Sequence, residues 1–216
     1  VAANGAMYSK DKIGIIPELI DVYMKKRKDA KSTMLKYESE LELLKAQPDY
    51  CKKEYKRITN LISKYNNEQM AFKIAMNSLY GALGNAFFRY YTLENARAVT
   101  LSGQYIIISV GEYVDQNLNS MFKTTYPWVI YQDTDSIYLR MGELVDKFIK
   151  DQSDKNKVIS LMDKICEEKI QPFIDKSYKE LAEYVHAYDQ KMQMKREGLS
   201  NKGIWTAKKR YILNVY

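Results

Sequence analysis

Residues 128–139 read Trp-Val-Ile-Tyr-Gln-Asp-Thr-Asp-Ser-Ile-Tyr-Leu. Two short β-type runs, Trp128–Tyr131 and Ser136–Leu139, flank the polar stretch Gln132-Asp133-Thr134-Asp135. β-Branched and aromatic residues on both sides of a short polar segment predict a β-hairpin. Its tip carries two carboxylates. In extended backbone, residues two apart point to one face, so Asp133 and Asp135 are expected to face one site. Like charges held close repel unless a cation or a proton lies between them. A hard divalent ion such as Mg²⁺ takes oxygen ligands and is usually held by one or two carboxylates together with substrate phosphates. The plainer alternative is an acidic turn, because Asp is favoured in turns on local grounds. Flanking hydrophobic strands favour a pair held on a rigid sheet.

Upstream of this hairpin the hydrophobic period is helical. Residues 1–16 read as extended chain with turns at Asn4-Gly5 and Gly14, and Pro17 sits where a helix would begin. From Glu18 to about Lys45 there is no Gly or Pro. Leu19, Ile20, Tyr23, Met24, Met34, Leu35, Leu41 and Leu44 recur at helical spacing. The predicted helix is on the order of 40 Å long at 1.5 Å per residue. Gln47-Pro48-Asp49 breaks it. A second helix is expected from about Cys51 to Tyr80, weakened or kinked at Asn66-Asn67 and closed by Gly81 and Gly84. Two long helices joined by a short turn form an antiparallel hairpin. Such a pair cannot enclose a core and is expected to project from a body or to cover a cleft.

Leu93 to about Leu118 reads as a third helix, with Gly103 and Gly111 permitting close packing. Beyond the β-hairpin, a helix from about Lys155 to Tyr188, bent at Pro172, is expected. Strand-like stretches follow at Lys191–Glu197 and Arg210–Tyr216. From Gln190 onward there are seven Lys or Arg and one acid, Glu197.

Composition bounds the function. The chain has 216 residues, 46% of them hydrophobic, and a formal net charge of 34 − 27 = +7. That is enough chain for a real core, which excludes disorder as the main state. No apolar run approaches the ~20 residues of a membrane helix. Two distant cysteines, Cys51 and Cys166, exclude a disulfide framework and a Cys-rich zinc site and fit a reducing compartment. A single histidine, His186, excludes most His-based metal sites. No signal peptide is expected. The first residue is Val1, so a piece of a longer protein is expected. A basic balance with 19 tyrosines points toward phosphate-rich partners, although a +7 surface also simply serves solubility.

The second helix carries a face of its own. Lys73, Asn77, Tyr80 and Gly81 lie at i, i+4, i+7 and i+8. A cation there suits a phosphate, an aromatic ring suits a sugar or base, and a glycine allows close approach. On the first helix Arg27 and Lys31 share a face and repel each other unless an anion lies nearby. Each also has an ordinary reading: Tyr80 as a core aromatic, Arg27 and Lys31 as a solvated face.

These stretches resemble a known family. Lys73-Ile-Ala-Met-Asn77-Ser-Leu-Tyr80-Gly81 is similar to the K-x-x-x-N-S-x-Y-G motif of family B DNA polymerases. Tyr131-Gln-Asp133-Thr-Asp135-Ser136 resembles the family's Y-G-D-T-D-S motif, and Lys208-Lys209-Arg210-Tyr211 its K-K-R-Y motif. All three occur in the family's order. The run Asn77–Tyr91 is similar to that of T-even-type bacteriophage members.

The resemblance implies an α+β fold: a long antiparallel helical hairpin (fingers, residues 16–85) on a partial palm (residues 1–15 and 86–216) with an antiparallel sheet and packed helices. It implies that Arg27, Lys31 and Lys73 hold an incoming triphosphate and that Asn77, Tyr80 and Gly81 line the nucleotide pocket. Asp135 matches the palm carboxylate that binds two Mg²⁺ ions, and Asp133 its neighbour with a less direct metal role. Lys208, Lys209 and Tyr211 match the motif that contacts primer–template DNA, and Glu197 a further acid near the metal site. The implied reaction is addition of dNTPs to a primer 3′-hydroxyl in the cytoplasm of a phage-infected bacterium, with a sliding clamp as a partner of the parent protein.

The sequence also departs from the family. Gln132 stands where the motif has Gly, and Lys195 where phage members can carry an acid. The upstream D-x-x-S-L-Y-P-S motif, which supplies the other metal carboxylate, does not occur, nor do a proofreading exonuclease segment or a thumb. The isolated chain is therefore expected to be inactive. The alternative reading is a non-catalytic DNA-binding module derived from a polymerase. A structural helical hairpin that binds a protein partner is a further rival, but it leaves three ordered motifs unexplained.

Overall fold

The computed structural model describes residues 1–149 and 154–216. Helix α1 spans Ile15–Lys45 and α2 spans Lys52–Leu83. α1 begins ahead of Pro17, which the first turn tolerates because its N–H groups have no helical acceptor. Two expectations for α2 need correcting. The helix runs through Asn66-Asn67 without interruption, since their propensity cost of about 0.5 kcal/mol each is small beside packing. It also runs through Gly81 to Leu83, so Gly84 alone is the cap.

The two helices pair antiparallel, and their contacts run in opposite directions along the chain. Tyr23 meets Phe72 with ring centroids 5.7 Å apart. Arg27 Nε donates to Gln69 Oε1 at 3.3 Å. Tyr37 stacks on Tyr65 at 5.8 Å, and Arg57 reaches Glu40 at 3.5 Å. Only Ala30, Ile58, Gln69 and Leu83 of these helices are buried, as expected of a hairpin too thin to enclose a core.

The chain divides into two compact units, residues 8–96 and residues 1–7 with 97–216. The helical pair belongs to the former. In the latter, α3 (Leu93–Phe122) supplies the stripe Val110, Val114 and Leu118. Around it pack Trp128, Leu144 of α4 (Gly142–Phe148), Met162 of α5 (Lys155–Ile165), and Ile174 and Tyr178 of α6 (Gln171–Tyr184). The seven-residue α4 is too short to show a period in the sequence.

Asn119 ties this core together. Its Oδ1 accepts from the Trp128 indole at 3.0 Å, the Tyr126 amide at 2.8 Å and the Thr124 hydroxyl at 2.7 Å, and its Nδ2 donates to the Tyr126 carbonyl at 2.9 Å.

The single helix expected over 155–188 is two helices joined by a π-helical turn, Cys166–Ile170. The turn lies just ahead of Pro172, and the Gln171 amide bonds back to the Cys166 carbonyl. Proline offers Glu168 no N–H and its ring crowds that carbonyl, so the preceding turn widens. α6 stops at Tyr184, followed by His186 at φ 52°, the left-handed step that often closes a helix.

Each sheet has two strands. β1 (Val129–Asp133) pairs antiparallel with β2 (Ser136–Leu139), as the sequence predicts. β3 (Ser200–Ala207) pairs with β4 (Arg210–Val215) around the Lys208-Lys209 turn. Lys191–Glu197 is not a strand. Side chains hold it instead: Gln171 Nε2 donates to the Met194 carbonyl at 2.8 Å, and Arg196 pairs with Asp163 at 2.9 Å. No described helix is long and apolar enough to cross a membrane.

Candidate functional site

The carboxylate turn differs from the sequence expectation in one respect. Asp133 closes β1 opposite Ser136, but Thr134 has φ 55°. That left-handed residue ends the strand's alternation, so Asp133 and Asp135 are not successive teeth on one strand face. Short bonds brace the turn. The Asp135 amide donates to the Asp133 carbonyl at 2.7 Å, the Ser136 hydroxyl to the same oxygen at 3.1 Å, and the Thr134 hydroxyl to Asp133 Oδ1 at 3.0 Å.

The two acids have different neighbours. Asp133 is partly buried, and its Oδ1 lies 3.6 Å from Lys209 Nζ. Asp135 is exposed and makes no ion pair among the described residues. Burial pushes the Tyr178 phenol up from its ordinary value, and the charges of Asp135 and Asp175 add to this. Asp133, by contrast, contributes to raising Tyr138. One carboxylate is neutralised locally and the other is open.

Four aromatic rings join the two sheets. Tyr131 and Tyr138 of the first hairpin lie among Trp205 and Tyr211 of the second, with centroids 5.4–6.3 Å apart. The Tyr138 hydroxyl donates to that of Tyr211 at 2.8 Å, and the Lys209 amide donates to the Tyr131 hydroxyl at 3.1 Å. The Tyr138 phenol is pushed up to about 12, chiefly by its bond to Tyr211 and then by burial. The Lys208-Lys209 turn is thereby seated beside the carboxylate turn, with Lys208 exposed and Tyr211 39% exposed. The sequence reading missed this cluster, although pairs of aromatics in both hairpins were its visible signal.

Gln132 points away from these rings. Its Nε2 donates to the Ile107 carbonyl of α3 at 3.2 Å. It therefore does not distort the carboxylate turn by crowding it. Glu197 is exposed, ahead of β3.

In the other unit, Lys73, Asn77, Tyr80 and Gly81 all lie in α2 and are exposed, Tyr80 to 39%. The exposure of Tyr80 sets aside the core-aromatic reading. Arg27 is brought to α2 by its bond to the buried Gln69, one helical turn before Lys73. Lys31 follows one turn later on α1 and is exposed.

Among the described residues no group of three or more His, Cys, Asp or Glu is placed to hold a metal ion. Of the two carboxylates in the turn, Asp135 is the open one and could offer oxygen ligands to a hard cation, with Asp133 beside it; substrate phosphates commonly complete such a site.

Residues 2–181 match the family model of DNA polymerase family B. The chain belongs to DNA polymerase family B. It is 34% identical over 255 residues to the DNA-directed DNA polymerase of Escherichia phage RB69, covering 99% of this chain and 28% of that protein. The DNA-directed DNA polymerase of Enterobacteria phage T4 matches with the same identity and coverage. DNA polymerase 037L of Invertebrate iridescent virus 6 is 30% identical over 146 residues, covering 66% of this chain and 11% of that protein. The chain thus spans 28% of the length of the phage relatives it matches. Of the family B motifs, K-x-x-x-N-S-x-Y-G lies wholly within α2, while the carboxylate and K-K-R-Y motifs meet through Asp133 and Lys209.

Proposed function

We propose that the chain forms the fingers and most of the palm of a DNA-directed DNA polymerase that adds dNTPs to a primer 3′-hydroxyl on primer–template DNA with Mg²⁺. The observation that carries this reading is the meeting of two motifs far apart in sequence: Lys209 of K-K-R-Y lies 3.6 Å from Asp133, beside the open carboxylate of Asp135.

In this reading residues 16–85 are the fingers. Arg27, Lys31 and Lys73 neutralise the triphosphate, the main service a protein can offer phosphoryl transfer. Asn77, Tyr80 and Gly81 accept the nucleotide on the exposed face of α2. In the palm, Asp135 holds metal and Asp133 is restrained by Lys209. Two ions about 3.5–4 Å apart supply activation of the attacking oxygen and stabilisation of the leaving one. Lys208, Lys209 and Tyr211 contact the duplex backbone, which positions DNA without reading its sequence.

The reading is tested by primer extension with residues 1–216 alone and mixed with a separately made piece carrying the D-x-x-S-L-Y-P-S motif. Synthesis in the mixture only is expected, with Lys73→Ala raising the KM for dNTP. Synthesis in neither, with duplex still bound, would leave a non-catalytic DNA-binding module.

A further inference from the structure

Gln132 sits at the base of the carboxylate turn, and its side chain takes the face of β1 opposite Tyr131 and Asp133. Its Nε2 donates to the Ile107 carbonyl in mid-α3 at 3.2 Å. The approach is open because residue 111, one turn along, has no side chain. A Cβ built on Gly111 would collide with the Gln132 amide. Gly103, in the same helix, has open space at that position, so close approach is particular to Gly111.

A second tie lies at the other end of the strand. Asp115 Oδ1 of α3 accepts from the Val129 amide at 2.9 Å. β1 is thus fastened to α3 near both ends. α3 is in turn fixed by Val110 and Val114, which are fully buried. Thr134 and Asp135 are exposed, so their position depends on the strand that carries them.

We propose that Gln132 is a positioning residue for the Asp133-Thr134-Asp135 turn. Its amide, seated over Gly111 on the Ile107 carbonyl, fixes where Asp135 is presented. A glycine at position 132 has no side chain to do this. The inference deepens the polymerase reading and rests on it for its catalytic consequence. Displacement of a reacting group by about 1 Å can cost about 100-fold in rate, so a single well-placed tie at the base of the turn matters.

Two variants break the tie from opposite sides. Gln132→Met keeps the bulk and removes the donor. Gly111→Ala keeps Gln132 and evicts its amide. In residues 1–216, amide exchange at Asp135 and Ser136 is expected to quicken by about tenfold in both, with exchange in the α3 core unchanged. In the primer-extension mixture, kcat is expected to fall by about tenfold with the KM for dNTP unchanged, and the Mg²⁺ concentration for half-maximal rate to rise.

Unchanged exchange in both variants would overturn the tie. Faster exchange with an unchanged kcat would overturn its role in positioning Asp135. If the unmutated mixture shows no Asp135-dependent synthesis, the polymerase reading and the catalytic role fall together, and exchange alone decides whether the tie holds the turn.

Discussion

Lys209 Nζ lies 3.6 Å from Asp133 Oδ1, and the Lys209 backbone amide donates to the Tyr131 hydroxyl at 3.1 Å. One residue of the β3–β4 turn therefore grips both the carboxylate and the strand that carries it. The lysine side chain is 64% exposed, and such pairs contribute less than about 1 kcal/mol. Lys209→Ala should lower unfolding free energy by no more than that. The same substitution should weaken binding of primer–template duplex and reduce the dependence of log K on log salt by about one. Denaturant titration and fluorescence anisotropy at several salt concentrations check the two halves.

Asn119 presents the opposite balance. Losing its amide leaves the Trp128 indole N–H, in a side chain only 1% exposed, without its acceptor. Asn119→Ala should cost about 2–4 kcal/mol, the loss of several buried bonds together. Urea unfolding measures it, and a cost under about 1 kcal/mol would contradict the network.

Gly111 and Gln132 should couple. Gly111→Ala gains about 1 kcal/mol of helix propensity and loses one hydrogen bond worth about the same, so its net effect on stability should be small. With Gln132→Gly already present there is no amide to evict, and the same alanine should stabilise by about 1 kcal/mol. A double-mutant cycle by chemical unfolding reads the difference.

Tyr138 should ionise at about 12 rather than near 10. The folded state holds the phenolic proton more tightly than the unfolded chain does. The contribution is therefore present below pH 10 and is lost as pH rises from 10 to 12, because over that window the folded state binds more protons. Tyr211→Phe removes the leading cause and should bring the midpoint down. A ¹³C-tyrosine NMR titration assigned with Tyr138→Phe checks both statements.

The long elements were legible in the sequence because their signals are local and repeated. Periodicity and Pro48 bounded α1 and α2, and the β-type runs on either side of Gln132–Asp135 gave the first hairpin. The π-helical turn was not legible, because Pro172 marks a break but does not say which geometry absorbs it. Lys191–Glu197 alternates like a strand yet finds no partner strand, and its bonds to Gln171 and Asp163 come from distant residues. At the site, the motifs named the residues and the resemblance implied their roles, but neither gave the bonds that seat them. Thr134 at φ 55° belongs to the two-residue loop between Asp133 and Ser136, whereas the Lys209 pair and the seat of Gln132 on α3 depend on tertiary neighbours that spacing does not encode.

The most direct test compares Asp135→Ala with Asp133→Ala in primer extension, using residues 1–216 mixed with a piece supplying the upstream carboxylate motif, with Mg²⁺ and dNTPs. Asp135→Ala should abolish synthesis while duplex binding persists, and Asp133→Ala should retain measurable synthesis because that carboxylate is already paired with Lys209. Full synthesis by Asp135→Ala would contradict the metal role of Asp135.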